Sequence, residues 1–202
     1  VFVTFEKGRY VARVDNDNLP HIHISRHYRR LLEDKNIDAE TKSYIRERIR
    51  AGAFLIRSIY QRQETIRKIA QEIVDNQTDF FDRGIEGLRP MTMSEVAANV
   101  GVHETTVSRT VANKYMRTPR GVFEMKYFFN PGLKGRDGTS FSNRSVQDLI
   151  KRMVESEDPT DPLSDQTIGE KLSGQGVTVA RRTIAKYRGI LKIPPSHERR
   201  RS

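Results

Sequence analysis

The chain has 202 residues, enough for one or two domains, and its 36% hydrophobic and 31% charged residues leave only small cores. Thirty-six Lys and Arg against 26 Asp and Glu give a formal charge of +10, which favours a polyanionic partner. No apolar run is long enough to span a bilayer, no signal-peptide pattern opens the chain, and the absence of cysteine excludes disulfides and thiolate metal sites.

The opening VFVTF reads as mid-strand, the start of a fragment of something longer. VFVTF and YVARV alternate with period two and are joined by EKGR, where Gly8 can take a positive φ, so residues 1–14 are expected to form a β-hairpin. NDNLPHIHISRHYRRLLEDKN then leads through a loop into a short helix around Tyr28, Leu31 and Leu32. His21, His23 and His27 crowd together there. No cysteine or well-spaced carboxylate completes a ligand set, and interface or core histidines are the reading preferred over a metal site.

From Asp38 to Phe81 no proline interrupts the chain. Ile45, Ile49, Gly52, Ile56, Ile59, Gln63, Ile66, Ala70, Ile73, Gln77 and Phe80 recur in steps of four and three. That stripe predicts one helix of roughly 40 residues, ~60 Å long. The alternative is two helices broken near Gly52. Glutamine and glycine within the stripe argue against a strong zipper and for docking on other protein.

Gly84, Gly87 and Pro90 end that element. In MSEVAANVGVHETTVSR, Ala97, Gly101 and Val107 fall at positions 5, 9 and 15 of a helix-turn-helix. A small residue there lets the helices approach, Gly permits the turn, and a β-branched residue anchors the second helix. Val107 and Val111 face inward. The opposite face carries Thr105, Arg109, Ala112 and Asn113, with Ser108 beside them. TPRGVFEMKYFF (118–129) is expected to be a turn and short apolar element closing the unit, and NPGLKGRDGTSFSN (130–143) a linker. GLKGRDG lacks the Gly-Lys-Ser/Thr of a phosphate loop.

A second small helical domain follows at 144–195. Ser164 or Asp165 can cap a helix bearing Ile168 and Leu172, SGQGVTV makes the turn, and a second helix begins near Val179. On it Ala180, Ile184, Tyr187 and Leu191 share a face to be buried. Arg182, Ala185, Lys186 and Gly189 lie opposite, with Arg181 and Arg188 on the shoulders. Arginine at the head of a recognition helix is the usual bidentate reader of guanine. Residues 196–202, SHERRRS, are expected to be a mobile basic tail.

VARRTIAKYR resembles the RpoN box, the signature of the sigma-54 family of bacterial transcription initiation factors. HETTVSRTVANKYMRTPRGVFEMKYFF resembles that family's core-associated helix-turn-helix, and SIYQRQETIRKIAQEIVDNQTDFF its extra-long helix; DPLSDQTIGEKL and the IPPS ending also fit. Gly189 departs from the acidic residue common there, and the Gly-rich linker looks long. The resemblance implies a mainly α fold: the end of a core-binding domain (1–37), the extra-long helix with its helix-turn-helix (38–129), a linker (130–143), an RpoN-box domain (144–195) and the tail (196–202). It implies a minus-24 GG element read by Arg181 and Arg182, with Ala185, Lys186 and Arg188 beside them. A minus-12 GC element would meet Thr105, Ser108, Arg109 and Asn113. Implied partners are promoter double-stranded DNA, core RNA polymerase and an AAA+ activator, with no membrane, cofactor or metal and no enzymatic activity, in the bacterial cytoplasm at the nucleoid. Two other classes compete: a free-standing regulator dimerising along the isoleucine stripe, and a recombinase or nuclease, for which no catalytic cluster is evident.

Overall fold

The computed structural model describes residues 1–14, 22–34, 36–134 and 140–200. Strands β1 (Phe2–Glu6) and β2 (Arg9–Arg13) form the antiparallel hairpin, with Gly8 at φ 82° in its turn. After the short helix α1 (Arg26–Glu33), α2 runs unbroken from Ala39 to Asn76, 38 residues. Asp38 caps it by accepting from the Thr41 N–H at 2.7 Å, and Gly52 sits within it without a break. The long helix therefore stops five residues short of the expected Phe81. Gln77 leaves the helical path, and α3 (Thr78–Arg83) turns Phe80 and Phe81 into the core.

Helices α4 (Met93–Val100) and α5 (Glu104–Val111) come next, then a hairpin of β3 (Tyr115–Thr118) and β4 (Gly121–Glu124). The apolar element expected at 118–129 thus resolves into a strand and a short 3-10 turn at Met125–Phe128. β3 also pairs in parallel with β1, Phe2 opposite Arg117, giving a four-stranded sheet in the order β2-β1-β3-β4. The proposed boundary after residue 37 is consequently not a boundary of the core. Val3 and Ala12 of the hairpin pack in one cluster with Ile69, Ile73 and Val74 of α2 and Val107 and Val111 of α5.

Two polar side chains, one half-buried and one fully buried, join these parts with their donors and acceptors paired. Gln71 of α2 accepts from the Ala12 N–H at 2.9 Å and donates to the Tyr10 carbonyl, so it covers the free edge of β2. Fully buried Gln77 donates to the Arg89 carbonyl and accepts from the Arg89 N–H, as a strand neighbour would.

Within 130–143, β5 (Gly132–Lys134) and β6 (Ser140–Ser142) pair antiparallel, while 135–139 lie outside the described residues. Gly132 lies so close to the Pro90 ring that a Cβ would collide with it, so this end of the expected linker is packed. α6 (Asn143–Glu155), α7 (Asp165–Gly174) and α8 (Arg181–Ile190) then enclose a second core of Val146, Ile150, Ile168, Leu172, Val177, Ile184 and Tyr187. Polar contacts tie the two cores together. The Arg144 guanidinium lies 4.3 Å over the Tyr127 ring and donates to Asn130 at 3.1 Å, and Arg152 pairs with Glu86.

Residues 196–200 correct the expected mobile tail. Ser196–Arg199 form a single turn, α9, and the Arg199 side chain, 10% exposed, grips the carboxylate of Glu157, 7% exposed, at 2.6 and 2.9 Å. It also donates to the Leu163 and Pro194 carbonyls. Burial alone would push the Glu157 carboxyl up, but hydrogen bonds from Arg199 and the Leu163 N–H outweigh it and hold it below its ordinary value.

Candidate nucleic-acid interface

Both helix-turn-helix units are built by local rules. Thr92 and Glu95 form a reciprocal capping box at the start of α4. The helix ends at Gly101 in the left-handed region, φ 74°, whose N–H returns to Ala97. Ala97, Gly101 and Val107 stand as the spacing predicts: a buried small residue, a left-handed turn and a fully buried anchor. His103 caps α5, its Nδ1 accepting from the Thr105 N–H. Thr105, Ser108 and Arg109 line the exposed side of α5. Asn113 is exposed too, but not on that helical face. α5 stops at Val111, Ala112 is extended and Asn113 adopts φ 53°. The redirection into β3 ends the helix two residues before the periodicity suggests.

In the second unit Ser164, not Asp165, is the cap of α7: its Oγ accepts from the Thr167 N–H at 3.1 Å. That leaves the Asp165 carboxylate for another task. It accepts from Arg188 at 2.9 and 3.2 Å, and Arg188 also donates to the Ile193 carbonyl. The carboxylate beside it raises the already high pKa of the Arg188 guanidinium. Arg188, 13% exposed, is thus a brace between α7 and α8 and not a free reader, a correction to the expected site. Sequence periodicity placed it on the shoulder of the helix, but its salt-bridge partner lies 23 residues away.

α8 starts at Arg181, with Ala180 as its cap residue and no side chain capping it. Ile184 and Tyr187 are buried; Ala180, expected inside, is exposed. The Tyr187 hydroxyl donates to Asn143 at 3.0 Å, and Ile184 lies against Gly169 of α7, where a Cβ would come within 3.1 Å. The missing Cβ at that glycine lets α8 seat closely on α7. The outer side of α8 presents Arg181, Arg182 and Lys186, with half-buried Ala185 between them and exposed Gly189 beyond. No described residue makes a hydrogen bond or ion pair to the three cationic heads. Two arginines in a first turn oppose the helix dipole, at about 0.3–1 kcal/mol each. An uncapped start carrying cations is a poor choice for stability and a good one for a polyanion.

Eight Lys and Arg against one Glu fall between Ala180 and Ser202. Arg188 and Arg199 are spent on Asp165 and Glu157, and of the six that remain Arg181, Arg182 and Lys186 stand in the first turns of α8.

A family model described as Sigma-54, DNA binding domain matches residues 42–201. The chain belongs to the sigma-54 family. It is 41% identical over 201 residues to the RNA polymerase sigma-54 factor of Vibrio anguillarum, covering 100% of this chain and 41% of that one. To the RNA polymerase sigma-54 factor of Escherichia coli K12 it is 36% identical over 200 residues, covering 99% and 42%. It therefore spans about two fifths of the length of the curated sigma-54 relatives it matches. A crystal structure of Aquifex aeolicus sigmaN bound to promoter DNA is similar with a TM-score of 0.67 and 33% identity, covering 98% of this chain and 59% of that one.

Among the described residues no group of His, Asp and Glu gathers to hold a metal ion. His21 lies outside them, His23 lines an apolar groove against α2, and the His27 ring meets the edge of Tyr28. No helix among them is long and apolar enough to cross a membrane.

Proposed function

We propose that this chain is the promoter-reading part of a sigma-54 initiation factor. α8 enters the major groove at the minus-24 GG element, where Arg181 and Arg182 donate to guanine O6 and N7. Lys186 engages the adjacent backbone, and small Ala185 lets the helix approach. α5 meets the minus-12 GC element, with Arg109 as its principal reader and Thr105, Ser108 and Asn113 around it. Arg188 acts indirectly by bracing α8. The observation that carries this reading is the outer side of α8: three cations with no partner among the described residues, on a helix whose inner side is fixed by Ile184, Tyr187 and the Arg188–Asp165 pair.

The two cores, each with its own recognition helix, correspond to separate readers for separate elements. The protein serves core RNA polymerase in the bacterial cytoplasm. It makes no chemical step of its own and depends on an AAA+ activator acting on the assembled complex. Nuclease footprinting on a duplex carrying GG and GC elements tests the reading. Protection centred on both is expected, with a log-log salt slope near −0.9 for each phosphate neutralised; protection at neither would overturn it.

A free-standing dimeric regulator is the competing reading, and the exposed Phe54, Leu55 and Tyr60 on α2 favour it. Sedimentation separates the two: a stable dimer without polymerase supports the regulator, a monomer the initiation factor.

A further inference from the structure

The two cores meet along α6, and the contacts there lead from the unit of α4 and α5 across to α8. Met91, buried in the first core beside Thr92, the cap of α4, donates its N–H to the Asn130 carbonyl at 3.0 Å. The Asn130 side chain accepts from Arg144 Nε at 3.1 Å, and the Arg144 guanidinium lies 4.3 Å over the Tyr127 ring. The next residue back, Asn143, holds α8 instead, accepting from the Tyr187 hydroxyl at 3.0 Å. Farther along α6, about 12 Å from Arg144 at ~1.5 Å rise per residue, Arg152 pairs with Glu86 of the first core. Asp148, between the two arginines, steadies Arg152 at 2.9 Å. Glu86 and Arg152 are each about half exposed, and pairs so open to solvent contribute little to stability. What they supply is geometry: two contacts that far apart on one helix fix its angle as well as its distance.

We infer that this joint is a ruler. It sets the separation at which α5 and α8 occupy the major groove together, with Arg144 as its central positioning residue, and it rests on the reading of both helices as promoter readers. One base pair added or removed between the two elements moves the second by ~3.4 Å and turns it by roughly 35° about the duplex axis. A freely jointed pair of domains would follow that displacement. A pair held at two points cannot, unless the stack on Tyr127 and the Glu86 pair break or the duplex itself is twisted. The joint therefore discriminates between promoters at base pairs that no side chain touches. It also raises affinity where the separation is right, because the second helix arrives already in place. Arginine suits position 144, since a flat guanidinium stacks on a ring while its Nε still donates, and lysine does not do both.

Fluorescence anisotropy of this whole chain tests the ruler on duplexes carrying GG alone, GC alone, both at their minus-24 and minus-12 positions, and both with one base pair inserted or removed between them. The unaltered chain should bind the correctly spaced pair most tightly and lose about tenfold on either displaced duplex. Glu86→Ala combined with Arg144→Ala should bind each single element as the unaltered chain does, lose several-fold on the correctly spaced duplex, and lose little more on the displaced ones. Because the chain has no cysteine, Glu86→Cys with Arg152→Cys can be bridged selectively by a short bis-maleimide. The bridged protein should depend steeply on spacing and the same protein unbridged only weakly. The same spacing dependence with and without the joint, while the second element still adds affinity, would overturn the ruler and leave both promoter readers standing. Equal losses on every duplex, single elements included, would make the joint a structural support and overturn the ruler too. A second element that adds nothing to the unaltered chain would remove the paired reading itself, and the ruler with it.

Discussion

α5 and α8 are short helices of eight and ten residues, each leaning on a preceding helix, but they are secured differently. α5 rests on the large core shared by α2 and the four-stranded sheet, with Val107 and Val111 both fully buried. Its first turn carries Glu104, which suits the helix dipole. α8 rests on a smaller core, lacks a side-chain cap and begins with two arginines. What it lacks locally is made up by distant polar contacts: Arg188 to Asp165, Tyr187 to Asn143, and Arg199 to Glu157 beneath the domain's end. A helix held by apolar burial can carry a mild surface. One that carries concentrated charge at the wrong end needs braces. Local rules are broken where the surface has work to do, and the cost is offset elsewhere.

Substitutions can break or sharpen that contrast. The largest effect should come from Ile73→Ala, a fully buried side chain under α5, at about 2–5 kcal/mol. Calorimetry should show the first core melting early while the second keeps its transition, and equal losses in both would show that they are not separately secured. Glu157→Gln should cost about 3 kcal/mol, because it leaves the buried Arg199 charge without its counterion. It should also flatten the acid side of the stability curve. The folded carboxyl lies below its ordinary value, so its contribution is present at neutral pH and above the unfolded pKa, and is lost as pH falls through the lowered folded value. Denaturant melts of the two proteins should therefore draw together as pH falls below the ordinary carboxylate range; parallel curves would refute the linkage.

Arg182→Ala should leave the melt nearly unchanged, weaken GG-duplex binding by about 1–3 kcal/mol and relax preference at one guanine. An equal loss on every sequence would make it a phosphate contact. The smallest change, Ala180→Asp, sets the two needs of α8 against each other. A new cap should stabilise the helix by about 1 kcal/mol, while a carboxylate beside the first turn lowers DNA affinity. A variant both more stable and equally tight would show that the bare start of α8 serves no purpose in binding.

Much of this architecture was legible because it is local. Period two revealed the hairpin, the four-three stripe revealed α2, and Ala97, Gly101 and Val107 revealed the first helix-turn-helix. What escaped depends on partners far along the chain. The strand at Tyr115–Thr118 has no alternating pattern long enough to announce itself and exists because β1 and β4 flank it. Arg188 and Arg199 look like surface charge until Asp165 and Glu157 are placed beside them. Asn113 followed the helical count on paper, whereas the chain turns at Ala112 to reach the sheet. The stripe along α2 is likewise uniform in letters but not in burial. Ala70 and Ile73 are inaccessible, while Ile49, Ile56, Ile59 and Ile66 of the same stripe are only half-buried.

The parallel pairing of β1 with β3 bears on how the molecule assembles. Phe2 meets Arg117 only after the whole of α2 and the first helix-turn-helix have been made. Closing so long an intervening loop is slow, and a lone two-stranded ribbon is barely stable in water. During synthesis the first hairpin must therefore wait without its neighbour, and its docking should be among the last steps to finish. Amide protons of that strand, followed by pulsed exchange during refolding, would time the moment at which the domain becomes whole.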